Sequence, residues 1–218
     1  ASDVYKRQVM IYRLAEVVKA VRVALDENPV SVGLTLGEDP ETLELDDIIR
    51  QKVEEAVRRV HSAAPAFLLE EGHNFGEALH WRGDGSGWTM LPDDFMRLVV
   101  FEMSDWERPV WTAISGTSPE YGRQRSRFKG IRGTAQRPVC AIVTRPEGKA
   151  LEFYSCKTEG AQVVRAVYIP YPKVDADGGI DISERCYEAV VYTAAGLTAI
   201  TYGEHEKGER LIELGIRS

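Results

Sequence analysis

The chain has 218 residues, enough to bury a normal core in one domain, or in one domain with an appended subdomain, without help from disulfides. A formal charge of -7 argues against nonspecific nucleic-acid binding by the whole surface while leaving room for a local basic patch. The three cysteines, Cys140, Cys156 and Cys186, are odd in number and lack C-x-x-C spacing, and no apolar run approaches the ~20 residues of a membrane span, so a soluble chain made in a reducing cytoplasm is expected.

In chain order, Ile11, Leu14, Val18, Val21 and Leu25 keep the helical period while Arg13, Glu16, Lys19 and Arg22 take other faces. An amphipathic helix is expected over 9–27, and its charges rule out the apolar core of a signal peptide. Asn28-Pro29 ends it, and Gly33, Gly37 and Pro40 mark a loop over 30–44. Asp46 and Asp47 open a second helix near the positive end of its dipole, with Ile48, Ile49, Val53, Val57 and Val60 on its apolar side and Pro65 at its end.

From about Ala78 the pattern changes to strands. Leu79 and Trp81 lead into Gly83-Asp84-Gly85-Ser86-Gly87 and Trp88 to Leu91 leads away, a hairpin signal. Pro92-Asp93-Asp94 reads as a turn, Phe95 to Met103 as a strand, and Trp111 to Ile114 as another. Ser118 and Pro119 suit the cap and first position of a short helical turn. Strands at Val139–Thr144, Leu151–Cys156 and Val163–Ile169, separated by turns at Glu147-Gly148 and Glu159-Gly160, are expected to form a meander.

Pro170 and Pro172 remove backbone donors and stop the last strand. Asp175, Asp177, Gly178 and Gly179 supply a loop, and Asp181 or Ser183 can cap the helix that follows. In that helix Ile182, Cys186, Val190, Thr193, Leu197 and Ile200 define one apolar stripe, and Ala189, Ala194, Ala195 and Gly196 leave room for a neighbouring backbone. Gly203 precedes a short helix ending near Leu214. Helices at both ends and strands between them imply an α+β fold: N- and C-terminal helices forming a helical bundle lobe, with a central, mainly antiparallel β-sheet lobe. The expected parts are 9–77, 78–172 and 173–218.

Residues with chemical potential are few. His61, His73, His80 and His205 lack metal-ligand spacing, and His61 sits late in a helix, where satisfying terminal carbonyls is the expected role. Asp175 to Asp181 places its glycine too early for a calcium loop. Gly83 to Gly87 lacks the Lys of a phosphate-binding loop, and no G-x-S-x-G surrounds any serine. Adjacent Asp93 and Asp94 fit capping better than a paired-carboxylate site. No catalytic residue, metal or cofactor is therefore expected. One charge feature stands out: Arg123, Arg125, Arg127, Lys129, Arg132 and Arg137 fall in a stretch without Asp or Glu. It reads as a solvated loop or as a surface for phosphate or an acidic partner, with protein contact ranking above DNA because interleaved aromatics are missing.

The chain resembles the head-tail connector, or adaptor, proteins of tailed bacteriophages, in particular the family related to tail tubular protein A. The residues that carry the resemblance are Asp46-Asp47-Ile48-Ile49, Trp88 through Leu98 with Leu91-Pro92-Asp93-Asp94-Phe95 at its centre, Tyr168-Ile169-Pro170-Tyr171-Pro172, and Cys186 through Tyr192. The resemblance implies a virion structural protein, assembled in the host bacterial cytoplasm. It would form a homo-oligomeric ring between the portal protein and a downstream tail protein, with passive contact to DNA in the channel. The alternative is a non-catalytic β-sheet binding module whose Trp81, Trp88, Trp106 and Trp111 form an aromatic recognition surface. Asp3 through Gln8 resembles the translated end of a transposon used to prepare sequencing libraries, so residues 1–8 are expected to be an artefact outside the fold.

Overall fold

A computed structural model describes residues 11–25, 45–69, 72–126, 128 and 131–217. Residues 1–8, the ends of the first expected helix at 9–10 and 26–27, and the expected loop at 30–44 lie outside the described residues. The elements are β1 (Ile11–Arg13), α1 (Leu14–Ala24), α2 (Leu45–Ala63), β2 (His73–Asn74), β3 (His80–Trp81), β4 (Ser86–Met90), β5 (Phe95–Met103), β6 (Ile114–Ser115) and α3 (Pro119–Gln124). There follow β7 (Val139–Arg145), β8 (Gly148–Tyr154), β9 (Val163–Pro170), β10 (Gly179–Asp181), α4 (Tyr187–Thr201) and α5 (His205–Arg217). The fold is α+β. The chain divides into two compact units, Ala1–Glu71 with Pro172–Ser218, and Gly72–Tyr171. Among the described residues no helix is long and apolar enough to cross a membrane.

In the helical unit α4 packs against α1, α2 and α5. Its burial differs from the single stripe expected. Val190, Val191, Ala194, Ala195, Leu197 and Ala199 are all buried, because neighbours cover α4 on nearly every side. The polar Thr198 survives there by donating to the Ala194 carbonyl at 2.8 Å. Between α4 and α5 the approach depends on glycine. A Cβ at Gly196 would lie 2.6 Å from the Gly208 carbonyl oxygen, and one at Gly215 would lie 2.9 Å from the Ala189 carbonyl oxygen. Lys207 of α5 donates to the Leu25 carbonyl at 2.9 Å, closing the negative end of α1. Arg22 joins α1 to α2 through Asp46 at 2.7 Å.

Two expectations need correction here. The helix expected from residue 9 begins only at Leu14, because Ile11, Tyr12 and Arg13 pair antiparallel with Asp181, Ile180 and Gly179. The second strand of that ribbon, β10, arises within the segment read as loop, where Asp175 accepts from the backbone N–H of Asp177 and Gly179 at 3.0 and 2.6 Å. The other correction concerns the cap of the last long helix. Ser183 makes no capping hydrogen bond; its hydroxyl donates to the Leu68 carbonyl at 2.6 Å. Its backbone N–H donates to Nε2 of the buried His61 at 3.2 Å, and burial pushes that imidazole down to about 4 from 6.5.

The sheet unit begins at Gly72, ahead of the boundary expected at 78, because β2 already pairs with β9 through His73 and Tyr168. It contains a three-stranded sheet ordered β2-β9-β5 and a five-stranded sheet ordered β3-β4-β8-β7-β6. Both sheets contribute to one core, where Phe101 of β5 stacks on Phe153 of β8 with ring centroids 5.8 Å apart. The expected meander does not form. Ser155, at φ 108°, turns the chain out of β8, and the Gln162 carbonyl accepts from Ser104 N–H at 2.8 Å, so β9 enters the other sheet beside β5. The strand expected at Trp111–Ile114 shrinks to β6, parallel to β7, because Val110 bridges to Phe101 instead.

The Asp93-Asp94 pair does not cap a helix either. The Asp94 carboxylate accepts from the Tyr168 hydroxyl at 2.8 Å, and its carbonyl accepts from Tyr171 N–H at 2.7 Å. All three cysteines are free and buried.

Candidate functional site

The sheet unit carries an open pocket of about 690 Å³ on the face of β8 turned away from the core. Leu151 and Phe153 point into that core, so strand alternation turns Glu152 and Tyr154 the other way. On the flanking strand β4, Ser86 and Trp88 lie opposite Tyr154 and Glu152. The β3–β4 turn brings Arg82 and Asp84, the end of β7 brings Arg145, and α3 with the residue after it brings Tyr121, Gln124 and Arg125 to the lining.

Glu152 is the centre of this arrangement and is 2% exposed. One of its oxygens accepts from Arg82 and from Arg145, the latter at 2.6 Å. The other accepts from the hydroxyls of Tyr154 and Tyr121 at 2.5 and 3.1 Å. Burial pushes this carboxyl up, but the Tyr154 and Arg82 hydrogen bonds, the Arg82 charge and the Arg145 hydrogen bond outweigh it and hold the group below the ordinary range. Burial and the bond to Glu152 push the Tyr154 phenol far above its ordinary value. A carboxylate with four donors on its two oxygens is an acceptor fixed in place, unsuited to taking a proton from a substrate.

The arginines have supports of their own. Arg145 lies 4.0 Å from the Trp88 ring centroid and Arg82 5.3 Å from it, and His80 stacks on the same indole at 5.1 Å. Arg125 rests on the Tyr121 ring at 5.2 Å. Arg132 donates to the Asp84 carboxylate at 3.1 Å and to its carbonyl at 3.0 Å. Asp84 also accepts the Ser86 hydroxyl and, at 3.0 Å, the Ser86 N–H; these bonds, led by that of the hydroxyl, outweigh partial burial and lower its pKa. Buried Gln124 ties α3 down by accepting from Gly133 N–H at 2.8 Å and donating to the Glu120 carbonyl at 3.3 Å.

Of the six basic residues singled out in the sequence, Arg125 and Arg132 line the pocket. Arg123 is exposed in the last turn of α3, Arg137 is exposed in a tight turn closed on Thr134, and Arg127 and Lys129 lie outside the described residues. Sequence reasoning missed Arg82, Arg145, Tyr121 and Glu152, and named Trp88 only as part of an aromatic recognition surface. The Leu151-Glu152-Phe153 alternation gave no signal, because it turns the carboxylate to the face away from the core, and what buries it there are Arg82, Tyr121 and Arg145 from other segments. The tryptophans are dispersed in role: Trp106 is buried, Trp81 packs edge-on against Phe153, Trp88 supports the arginines, and Trp111 is 40% exposed. Among the described residues no group of three His, Cys, Asp or Glu side chains could hold a metal. In comparison with known proteins, no family model matches the chain and no curated protein matches it.

Proposed function

We propose that this protein is a structural component of a tailed-phage virion, a head-tail connector subunit. Its copies close into a ring that joins portal to tail and continues the DNA channel. The observation that carries the reading is the joint between two of the stretches on which the family resemblance rests. Leu91 to Phe95 and Tyr168 to Tyr171 meet through the Tyr168–Asp94 and Tyr171–Asp94 hydrogen bonds and the Phe95–Pro170 pairing. These residues therefore clasp the start of β5 to the end of β9, the kind of role a mechanical component asks of its most distinctive residues. The helical unit adds uncovered apolar side chains, Val23 at 62%, Leu214 at 49% and Ile216 at 80% exposed, which contact between copies would bury.

In this reading the protein works without turnover or cofactor, is made in the host cytoplasm and resides in the virion. The test is native mass measurement of the full chain, alone and mixed with the portal protein of the same genome. A closed ring, alone or on the portal, is expected. A monomer under both conditions overturns the reading.

A further inference from the structure

Independently of that reading, we propose that the pocket of the sheet unit is a binding site for a phosphate group, carried by a small ester or by the end of a nucleic acid. Its charge is not balanced from within. Four arginines, Arg82, Arg125, Arg132 and Arg145, line it against two carboxylates, Asp84 and Glu152. Asp84 takes Arg132, while the single charge of Glu152 is shared by Arg82 and Arg145. Arg125 has no ion-pair partner among the described residues and lies on Tyr121. Two positive charges are left over, in a chain whose total is -7.

The excess is concentrated, and most of the cations are oriented before a ligand arrives. Glu152 fixes two guanidinium groups, Trp88 supports both of them, and the Tyr121 ring supports Arg125. Side chains ordered before binding lose less freedom when a ligand arrives. All four cations are arginine, whose planar fork matches the paired oxygens of a phosphate, and Ser126 and Thr144 add neutral hydroxyls around them. The volume of about 690 Å³ lies within the range of small-ligand sites. A phosphate dianion matches the surplus in charge, and a concavity of this size favours a compact anion over an extended acidic peptide.

The test is calorimetric titration of the full chain with inorganic pyrophosphate, adenosine monophosphate, a short oligothymidylate with and without a terminal phosphate, and a glutamate-rich peptide. Pyrophosphate is expected to bind, and Arg125→Ala to weaken it by about tenfold or more without shifting the melting temperature, since the lost contact is charge-assisted. Arg137→Ala, outside the pocket, is expected to bind as the unaltered chain does. Tighter binding of the phosphorylated oligothymidylate than of the monophosphate assigns the group to a nucleic-acid end; the reverse assigns it to a small ester. Failure of every phosphate probe, binding of the peptide alone, or an Arg125→Ala variant with unchanged affinity overturns the proposal.

Discussion

Acidification should loosen the helical unit through one side chain. His61 is 4% exposed, and its Nε2 accepts the Ser183 N–H at 3.2 Å, so the neutral ring carries its proton on Nδ1. Protonating Nε2 would turn that acceptor into a donor facing a donor, inside a buried site. Burial holds the folded imidazole at about 4, against 6.5 for the unfolded chain. Because the folded value is the lower one, the unfolded state takes up the proton first, and stability falls as pH drops below the unfolded value. At about 1.4 kcal/mol per unit, the loss is about 2 kcal/mol at about pH 5 and approaches about 3 kcal/mol near pH 4, where it levels off. Urea unfolding followed by helical circular dichroism at about pH 7 and about pH 5 measures it, with His61→Gln as the reference that removes only this titration. The unaltered chain should lose about 2 kcal/mol more than the variant. Equal losses would refute the argument.

The glycine seam between α4 and α5 makes a prediction of sign. Alanine in place of glycine gains about 1 kcal/mol in an open helix, as expected for Gly122→Ala, where a Cβ meets nothing within 4 Å. Gly196→Ala should instead lower stability by about 1–2 kcal/mol in thermal melts, because its Cβ would lie 2.6 Å from a backbone oxygen and force the helices apart. A gain at both positions would show that the seam is loose. Glu152→Gln should cost about 2 kcal/mol, below the figure for a fully buried pair because Arg82 and Arg145 remain 35% and 22% exposed. The lowered carboxyl pKa places that contribution above the ordinary carboxylate range and removes it as pH falls through the lowered value, so the two chains should converge in acid. Parallel curves would contradict this.

What could be read from the sequence depended on whether a segment's partner was local. The close approach of a backbone to α4 was legible because small residues leave space whatever fills it, and Gly208 of the next helix, α5, fills it. The β4, β5 and β8 strands were legible from short apolar runs bounded by turn residues. Ile11-Tyr12-Arg13 was not, because Ile11 also continues the helical period of α1, and only pairing with the distant β10 decides between the two. The meander failed for the same reason: nothing in Val163–Pro170 names β5 and β2 as its neighbours in place of β8. At the pocket, Arg125 and Arg132 were visible as part of a charge run. Arg82, Arg145 and Glu152 come from separate turns and strands, which only the five-stranded sheet brings together.

The pairing of β2 with β9 has a consequence for how the protein is put together. The chain enters the sheet unit at Gly72 and leaves it at Tyr171, and these two passages run side by side as antiparallel neighbours, about 5 Å apart. The sheet unit is thus an insertion with adjacent ends, set between α2 and α4 of a scaffold that needs only a short bridge to close behind it. Such an insert can be exchanged or enlarged without lengthening any connection in the scaffold, so the pocket-bearing part is free to diversify while the helices keep their packing.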